Sequence, residues 1–222
     1  MIDSQIIKKN LKNIGYDVSR EALRELNIFS SSILLKNSEI NLISKNSEKD
    51  IINRHILDSA QIIDYVDKND ILSCTDLGSG AGLPGIVIGI LMKSKKPIFK
   101  LIFYEKSFHK SNFLKQMNEK FKLNAQVYQK NIFNEKNIQT DIIISRAFKP
   151  LPVIFELAIK NFRKFKYIIL FLGKSGNKIL EEASKEWIFN YEKRKSLTNK
   201  ESLIIKIFNL RKKKCITKLF RS

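Results

Sequence analysis

The stretch Asp76-Leu77-Gly78-Ser79-Gly80-Ala81-Gly82-Leu83-Pro84-Gly85 constrains the fold most, because it joins a short apolar β-rich run to an apolar run of helical length. Glycines let a backbone turn sharply and approach a ligand closely. A loop of this kind between strand and helix lies at the carboxyl edge of a parallel sheet, where open α/β folds bind ligands. Gly80 to Gly85 matches the pattern G-x-G-x-x-G letter for letter. Alone, that pattern also serves to pack a helix on a strand; its placement here favours a ligand site.

The rest of the chain fits that setting. From Ile71 onward, β-rich runs alternate with helices, the arrangement of a parallel sheet covered on both faces. Strands are predicted at 71–77, 98–105, 125–129, 141–145, 168–172, 187–192 and 202–210. Helices at 83–92, 107–122, 151–162 and 176–185 fill four crossovers, and the last two strands form an antiparallel hairpin. The chain before Ile71 reads as helical. Ile2, Ile6, Ile7, Leu11 and Ile14 recur at helix spacing up to Gly15. Ser19 caps a second helix with Glu21 in its first turn, and a third begins after Ser47 with Asp50 as a capping-box-like partner. The expected division is a helical cap over 1–68, a Rossmann-like core over 69–210 and a basic tail over 211–222.

Asp76 bears on the choice of ligand. A carboxylate at the mouth of the loop repels pyrophosphate and attracts a cationic amino group or a sulfonium, which favours S-adenosylmethionine over NAD. Gly78, Gly80 and Gly82 then bring backbone to that cofactor. At the end of the second strand, Glu105 is placed to accept hydrogen bonds from ribose hydroxyls; a solvated strand end is the plain alternative.

Charge points to a partner. Against 22 Asp+Glu stand 41 Lys+Arg, a formal +19, and such a potential attracts polyphosphate, with nucleic acid foremost. The abundance of Lys, Asn and Ile fits an AT-rich genome equally well. Cys74 and Cys215 lie far apart, so neither a disulfide framework nor a cysteine metal site is expected. That usage suits a reducing cytoplasm. Met1-Ile2-Asp3-Ser4 is no basic leader, and the longest apolar stretch, Leu83 to Met92, is too short to span a bilayer, so no export or membrane segment is expected.

Further stretches carry a family resemblance: Asn37 and Asn41-Leu42, Arg54-His55-Ile56-Leu57-Asp58-Ser59, Gly82-Leu83-Pro84-Gly85-Ile86, Phe113-Leu114-Lys115-Gln116 and Ile144-Ser145-Arg146-Ala147-Phe148. In this order they resemble the glucose-inhibited division protein B family, also called RsmG, the 16S ribosomal RNA guanine-N7 methyltransferases. The resemblance covers nearly the whole chain. It implies a seven-stranded class I methyltransferase sheet and a monomer that methylates a guanine in the decoding-region loop of 16S rRNA, with that RNA or the small ribosomal subunit as partner. It also implies S-adenosylmethionine contacts at Gly78, Leu83, Ile132, Phe133 and Arg146. The chain departs from the family pattern at Lys36, Ala81, Glu105, His109-Lys110 and Asn131, where Trp, Pro, Asp, Lys-Arg and Arg are usual.

Guanine N7 offers a lone pair and no proton, so methyl transfer needs alignment rather than a general base. The lack of a catalytic triad is therefore consistent with an enzyme. Arg146, just past the fourth strand, is the candidate positioning residue; its fork suits a cofactor carboxylate, an RNA phosphate or the O6 edge of guanine, or else a structural ion pair with Asp76. His55 and Asp58 lie three apart on one helical face and, by the resemblance, can form a polar cluster toward the cofactor; apart from it they read as a satisfied interior pair. Phe148 is an aromatic able to stack on a base, although phenylalanine is more often a core residue. Two other readings compete: an NAD-dependent oxidoreductase, from the literal glycine pattern, and a non-catalytic RNA-binding or ribosome-assembly factor, from the charge.

Overall fold

Ser19 holds an extended backbone and its side chain accepts from the Ala22 amide at 3.1 Å, so a helix starts there as its cap chemistry dictates. The structure, a computed structural model, describes residues 4–214; Ile2, Cys215 and residues 215–222 of the expected tail lie outside it. Helix α1 (Ser4–Asn13) stops before Gly15, whose φ of +80° a side chain would strain. Helix α2 (Arg20–Asn37) buries Leu23, Leu26, Phe29 and Ile33.

The third expected helix is broken into pieces. Lys45–Asp50 is a 3-10 helix, Ile52–Leu57 is a π-helical segment, and two short helices follow, α3 (Asp58–Ala60) and α4 (Ile63–Val66). Ser47 caps nothing here. Its hydroxyl donates to the Ser44 carbonyl at 2.7 Å and sits 2.8 Å from His55 Nε2, while Asp50 accepts from Asn53. Other local contacts, to residues three to eight positions away, therefore take the place of the expected capping box.

The α/β part follows in order: β1 (Ser73–Leu77), α5 (Gly85–Met92), β2 (Lys100–Tyr104), α6 (Phe108–Phe121), β3 (Ala125–Tyr128), β4 (Ile138–Gln139), β5 (Ile142–Arg146), α7 (Leu151–Asn161), β6 (Phe162–Lys164), β7 (Tyr167–Leu172), α8 (Gly176–Glu186), β8 (Trp187–Lys195) and β9 (Leu203–Lys212). Seven strands form one sheet in the order β3-β2-β1-β5-β7-β9-β8, parallel except for β9, which runs against both its neighbours. Arg211 and Lys212, expected in the tail, belong to β9. A separate small ladder pairs β4 with β6, where sequence reading placed a loop and a helix end.

Alternation along the strands loads both faces. Cys74, Phe103, Ile142 and Ile144 face one apolar cluster with α5, α6 and the N-terminal helices, and Leu77, Ile102, Ile143 and Ile168 face the other with α7 and α8. Every residue of α5 is buried, as befits a helix apolar all round and held between sheet and cap. Between β1 and β5 the chain order reverses, and there the carboxyl ends of the strands open a crevice.

Candidate cofactor and substrate site

The loop after β1 bends over the end of β2. Gly78 and Ser79 amides both donate to the Tyr104 carbonyl, at 3.0 and 3.3 Å, and the Gly80 amide donates to Glu105 Oε2 at 2.9 Å. Glu105 Oε1 accepts from the Ser107 amide at 2.8 Å, so this carboxylate ties loop to strand while each oxygen keeps lone-pair capacity. Gly78, Gly80 and Gly82 hold φ of +65°, +53° and +83°. At Gly78 the requirement is also steric: a Cβ would stand 2.1 Å from Phe148 Cδ2. At Gly80 a Cβ would meet only the Gly78 carbonyl, at 3.8 Å, so the loop is open on that side. Leu83 turns its side chain into the core, leaving its backbone to face the loop.

Asp76 is not at the mouth. It lies beneath the loop, 1% exposed, with Oδ2 accepting from the Gly85 amide at 2.9 Å and Oδ1 buried without a partner among the described residues. Burial pushes its carboxyl up to about 7, helped by Glu105 and opposed by the Gly85 bond and Arg146. A buried oxygen lacking a donor is an acceptor awaiting one, and a ligand ammonium at the loop would supply it.

Beside the loop is a cavity of about 310 Å³, lined among others by Gly78, Tyr104, Glu105, Ile132, Phe133 and Phe148. Ile132 is buried, whereas Phe133 is exposed toward the cavity and stacks on Phe148 with centroids 6.1 Å apart. Asn131 caps this turn by accepting from the Phe133 amide. Asn161, at the end of α7, fastens the turn by donating to the carbonyls of Ile132 and Phe133, at 3.1 and 3.2 Å. Sequence reading missed Asn161, although Leu151, Ile154 and Ala158 share its helical face and mark it as a polar residue on an apolar stripe. Tyr104 and Lys106, which also line this cavity, were missed as well.

Arg146, at the end of β5, pairs with Asp58 rather than Asp76: Nε stands 3.1 Å from Asp58 Oδ2. Its Nη2 donates to the Arg54 carbonyl at 2.8 Å and to His55 Nδ1 at 3.0 Å. An arginine only donates, so Nδ1 is the acceptor and Nε2 carries the ring proton toward Ser47 Oγ. Burial, then Arg146 and Arg54, hold His55 down to about 4, hence neutral near pH 7. Asp58 also accepts from Gln61, Ser196 and Thr198, which brings the turn after β8 into the cluster. The expected His55–Asp58 cluster thus exists, and its centre is Arg146. Among the described residues Nη1 of Arg146 has no hydrogen-bond partner, which leaves it available to a ligand. Among the same residues no group of His, Cys, Asp or Glu is arranged to hold a metal ion, and no helix is long and apolar enough to cross a membrane.

The sequence model of the family described as "GidB: rRNA small subunit methyltransferase G" matches residues 22–206. A protein of Pelagibacter ubique (strain HTCC1062) named "Ribosomal RNA small subunit methyltransferase G" is 46% identical over 205 residues, covering 91% of this chain and 95% of its own. A protein of the same name from Rickettsia rickettsii (strain Sheila Smith) is 35% identical over 196 residues, covering 88% and 98%. Among solved structures, an O-methyltransferase from Bacillus cereus in complex with SAH superposes with a TM-score of 0.55 at 13% identity, over 91% of this chain and 97% of that one. A SAM-dependent methyltransferase from Aquifex aeolicus gives 0.53 at 13% identity, over 74% and 94%. At such identities these two show the fold alone, that of the class I methyltransferases. Neither the oxidoreductase nor the non-catalytic reading is favoured by these findings, and the family resemblance read from the sequence is borne out. The chain belongs to the rRNA small subunit methyltransferase G family.

Proposed function

We propose that this protein transfers a methyl group from S-adenosylmethionine to N7 of a guanine in the decoding-region loop of 16S rRNA, acting as a monomer in the cytoplasm on that RNA or on the small subunit. Family membership over residues 22–206 is the observation that carries the reading. The residues fit the cofactor. Asp76 Oδ1, buried and unpartnered among the described residues, suits the amino group, and Glu105 keeps acceptor capacity for ribose hydroxyls. Gly78 and Gly80 let the cofactor approach the loop backbone, whereas Gly82, where a Cβ would stand 2.4 Å from Ile86 Cγ1 and 3.0 Å from Leu114 Cδ2, serves to pack the loop on α5 and α6; Leu83 contributes through its main chain. Ile132 and Phe133 wall the cavity for the adenine, and Nη1 of Arg146 positions the carboxylate.

When bound, the cofactor supplies a methyl group already activated on a sulfonium. What the chain must add is alignment of that group with the N7 lone pair, since no proton has to leave. A held arginine and a glycine-lined turn do this without a titrating side chain in the reaction. The test is incubation with methyl-labelled S-adenosylmethionine and unmethylated small subunits, then borohydride and aniline cleavage to map N7-methylguanine. One cleavage in the decoding-region loop is expected. Label elsewhere would reassign the substrate, and no binding of S-adenosylmethionine would overturn the reading.

A further inference from the structure

A second cavity opens on the other side of Phe148. It measures about 300 Å³ and lies between the ends of β5 and β7 and the start of α7, lined by Ser145, Leu151, Ile154, Leu170 and Leu172 as well as Phe148 and Lys149. Those last two residues line the first cavity also, so one aromatic ring separates the two spaces.

We infer that this second cavity takes the acceptor base, a single purine turned out of its stack, and that Phe148 is the side chain that stacks on it. The inference rests on the methyl-transfer reading above and names the residues that receive its substrate. The apolar floor of Leu151, Ile154, Leu170 and Leu172 suits the flat face of a heteroaromatic ring. The volume is at the small end for ligand pockets, about 300–1,000 Å³, which admits one base and excludes a longer segment. Polar groups are few and placed at the edge. Ser145 Oγ makes only a long bond, 3.4 Å, to the Leu77 carbonyl, and Lys149 is exposed with no ion pair among the described residues, available to the phosphate beside an extruded nucleotide.

The position of the ring adds an order of events. Phe148 lies against Gly78 and stacks on Phe133, in space that a ligand running along the glycine loop needs. The residue before it, Ala147, holds a φ of +52°, a conformation rare for a side-chain-bearing residue and found where a backbone is held for function. Cofactor binding therefore moves the ring off Gly78, and its face becomes the wall of the second cavity. The base binds after the cofactor.

Two variants test this, with three readouts. Phe148→Ala is expected to leave S-adenosylhomocysteine affinity equal or tighter by calorimetry, while kcat/KM for methylation of small subunits falls about ten- to hundredfold; Phe148→Trp restores it to within severalfold. Leu172→Trp, at the mouth of the second cavity, is expected to abolish methylation with S-adenosylhomocysteine binding intact. Saturation-transfer NMR with guanosine monophosphate on protein loaded with S-adenosylhomocysteine should give a signal at guanine H8 that disappears in Leu172→Trp. Equal loss of S-adenosylhomocysteine binding and methylation in both variants would assign the second cavity to the cofactor and overturn the inference. Full methylation by both would overturn it too. If the H8 signal disappears in Leu172→Trp but the native protein does not methylate small subunits, the proposed rRNA substrate falls and the base cavity stands.

Discussion

Two segments border the site and are built by opposite means. The loop 78–85 works by lacking side chains, so that positive φ values and close backbone approach become possible, and its hydrogen bonds run to strands next to it. The π-helical segment Ile52–Leu57 and Asp58 work by presenting side chains, a neutral imidazole and a carboxylate, that grip Arg146 at the end of β5. One is shaped by local backbone preference and the other by long-range charge. Their titrations also run in opposite directions, as the raised Asp76 and the lowered His55 show.

That contrast can be tested at both ends. The largest effect is expected at Gly78→Ala, where the added methyl projects into the cavity that Gly78 lines and the φ of +65° is strained by roughly 1–2 kcal/mol: S-adenosylhomocysteine affinity should fall at least about a hundredfold. Gly15→Ala is the control, because its φ of +80° is strained but nothing lies within 4 Å, so stability should fall and affinity should not. Equal affinities for the two variants would break the distinction. Next comes Asp58→Ala, which leaves a mostly buried Arg146 unpaired and should cost roughly 3–5 kcal/mol, or about 10 °C in Tm by differential scanning fluorimetry. An unchanged Tm would mean that the cap does not depend on this pair.

The smaller effects concern protons. His55 has a folded pKa of about 4 against 6.5, so its contribution to stability is complete above pH 6.5 and is lost as pH falls through 4, on the order of 3 kcal/mol in all. Asp76, raised from 3.8 to about 7, acts the other way and makes the fold less stable as pH rises across that range. His55→Asn, which keeps an acceptor for Arg146, should therefore turn a nearly flat stability profile between pH 4 and 6.5 into one that declines with rising pH, as read by denaturant titration. An unaltered profile would remove His55 from the account. The least effect is a fraction of a proton released on binding S-adenosylhomocysteine near pH 7, since an ammonium beside Asp76 favours the carboxylate. Calorimetry in two buffers of different ionisation enthalpy measures it. Asp76→Asn should abolish it, and proton uptake by the native protein would contradict it.

The same contrast explains what sequence could and could not reveal. The strand-loop-helix of 73–92 was legible because its determinants are adjacent: an apolar run, glycines, another apolar run. The hairpin of β8 and β9 was legible in the same way, short of its full length. The cap segment was not, because Ser47 and Asp50 match a capping pattern yet answer to His55 and Asn53. His55 in turn answers to Arg146, 91 positions away. For Asp76 the depth was not legible, since a carboxylate beneath a loop and one at its mouth read alike in one dimension. The small β4–β6 ladder depends on α7 ending at Asn161, whose amide side chain fastens a turn no local pattern links to it.

The grip on the cap does not end at Arg146. Arg194, on β8, holds Asp64 with both arms, at 2.5 and 2.8 Å, and also donates to the Gln61 carbonyl, while the Leu197 amide donates to Gln61 Oε1 at 2.8 Å. Ribosomes release a chain from its first residue to its last, and segments fold as they emerge. Residues 58–64 leave early, but of the partners that fix them Arg194, Ser196, Leu197 and Thr198 appear well after Arg146. The wall of the site nearest the start of the chain is therefore finished only when synthesis is almost over, and a chain truncated before residue 194 keeps its glycine loop without the clasp that sets Asp58 against Arg146.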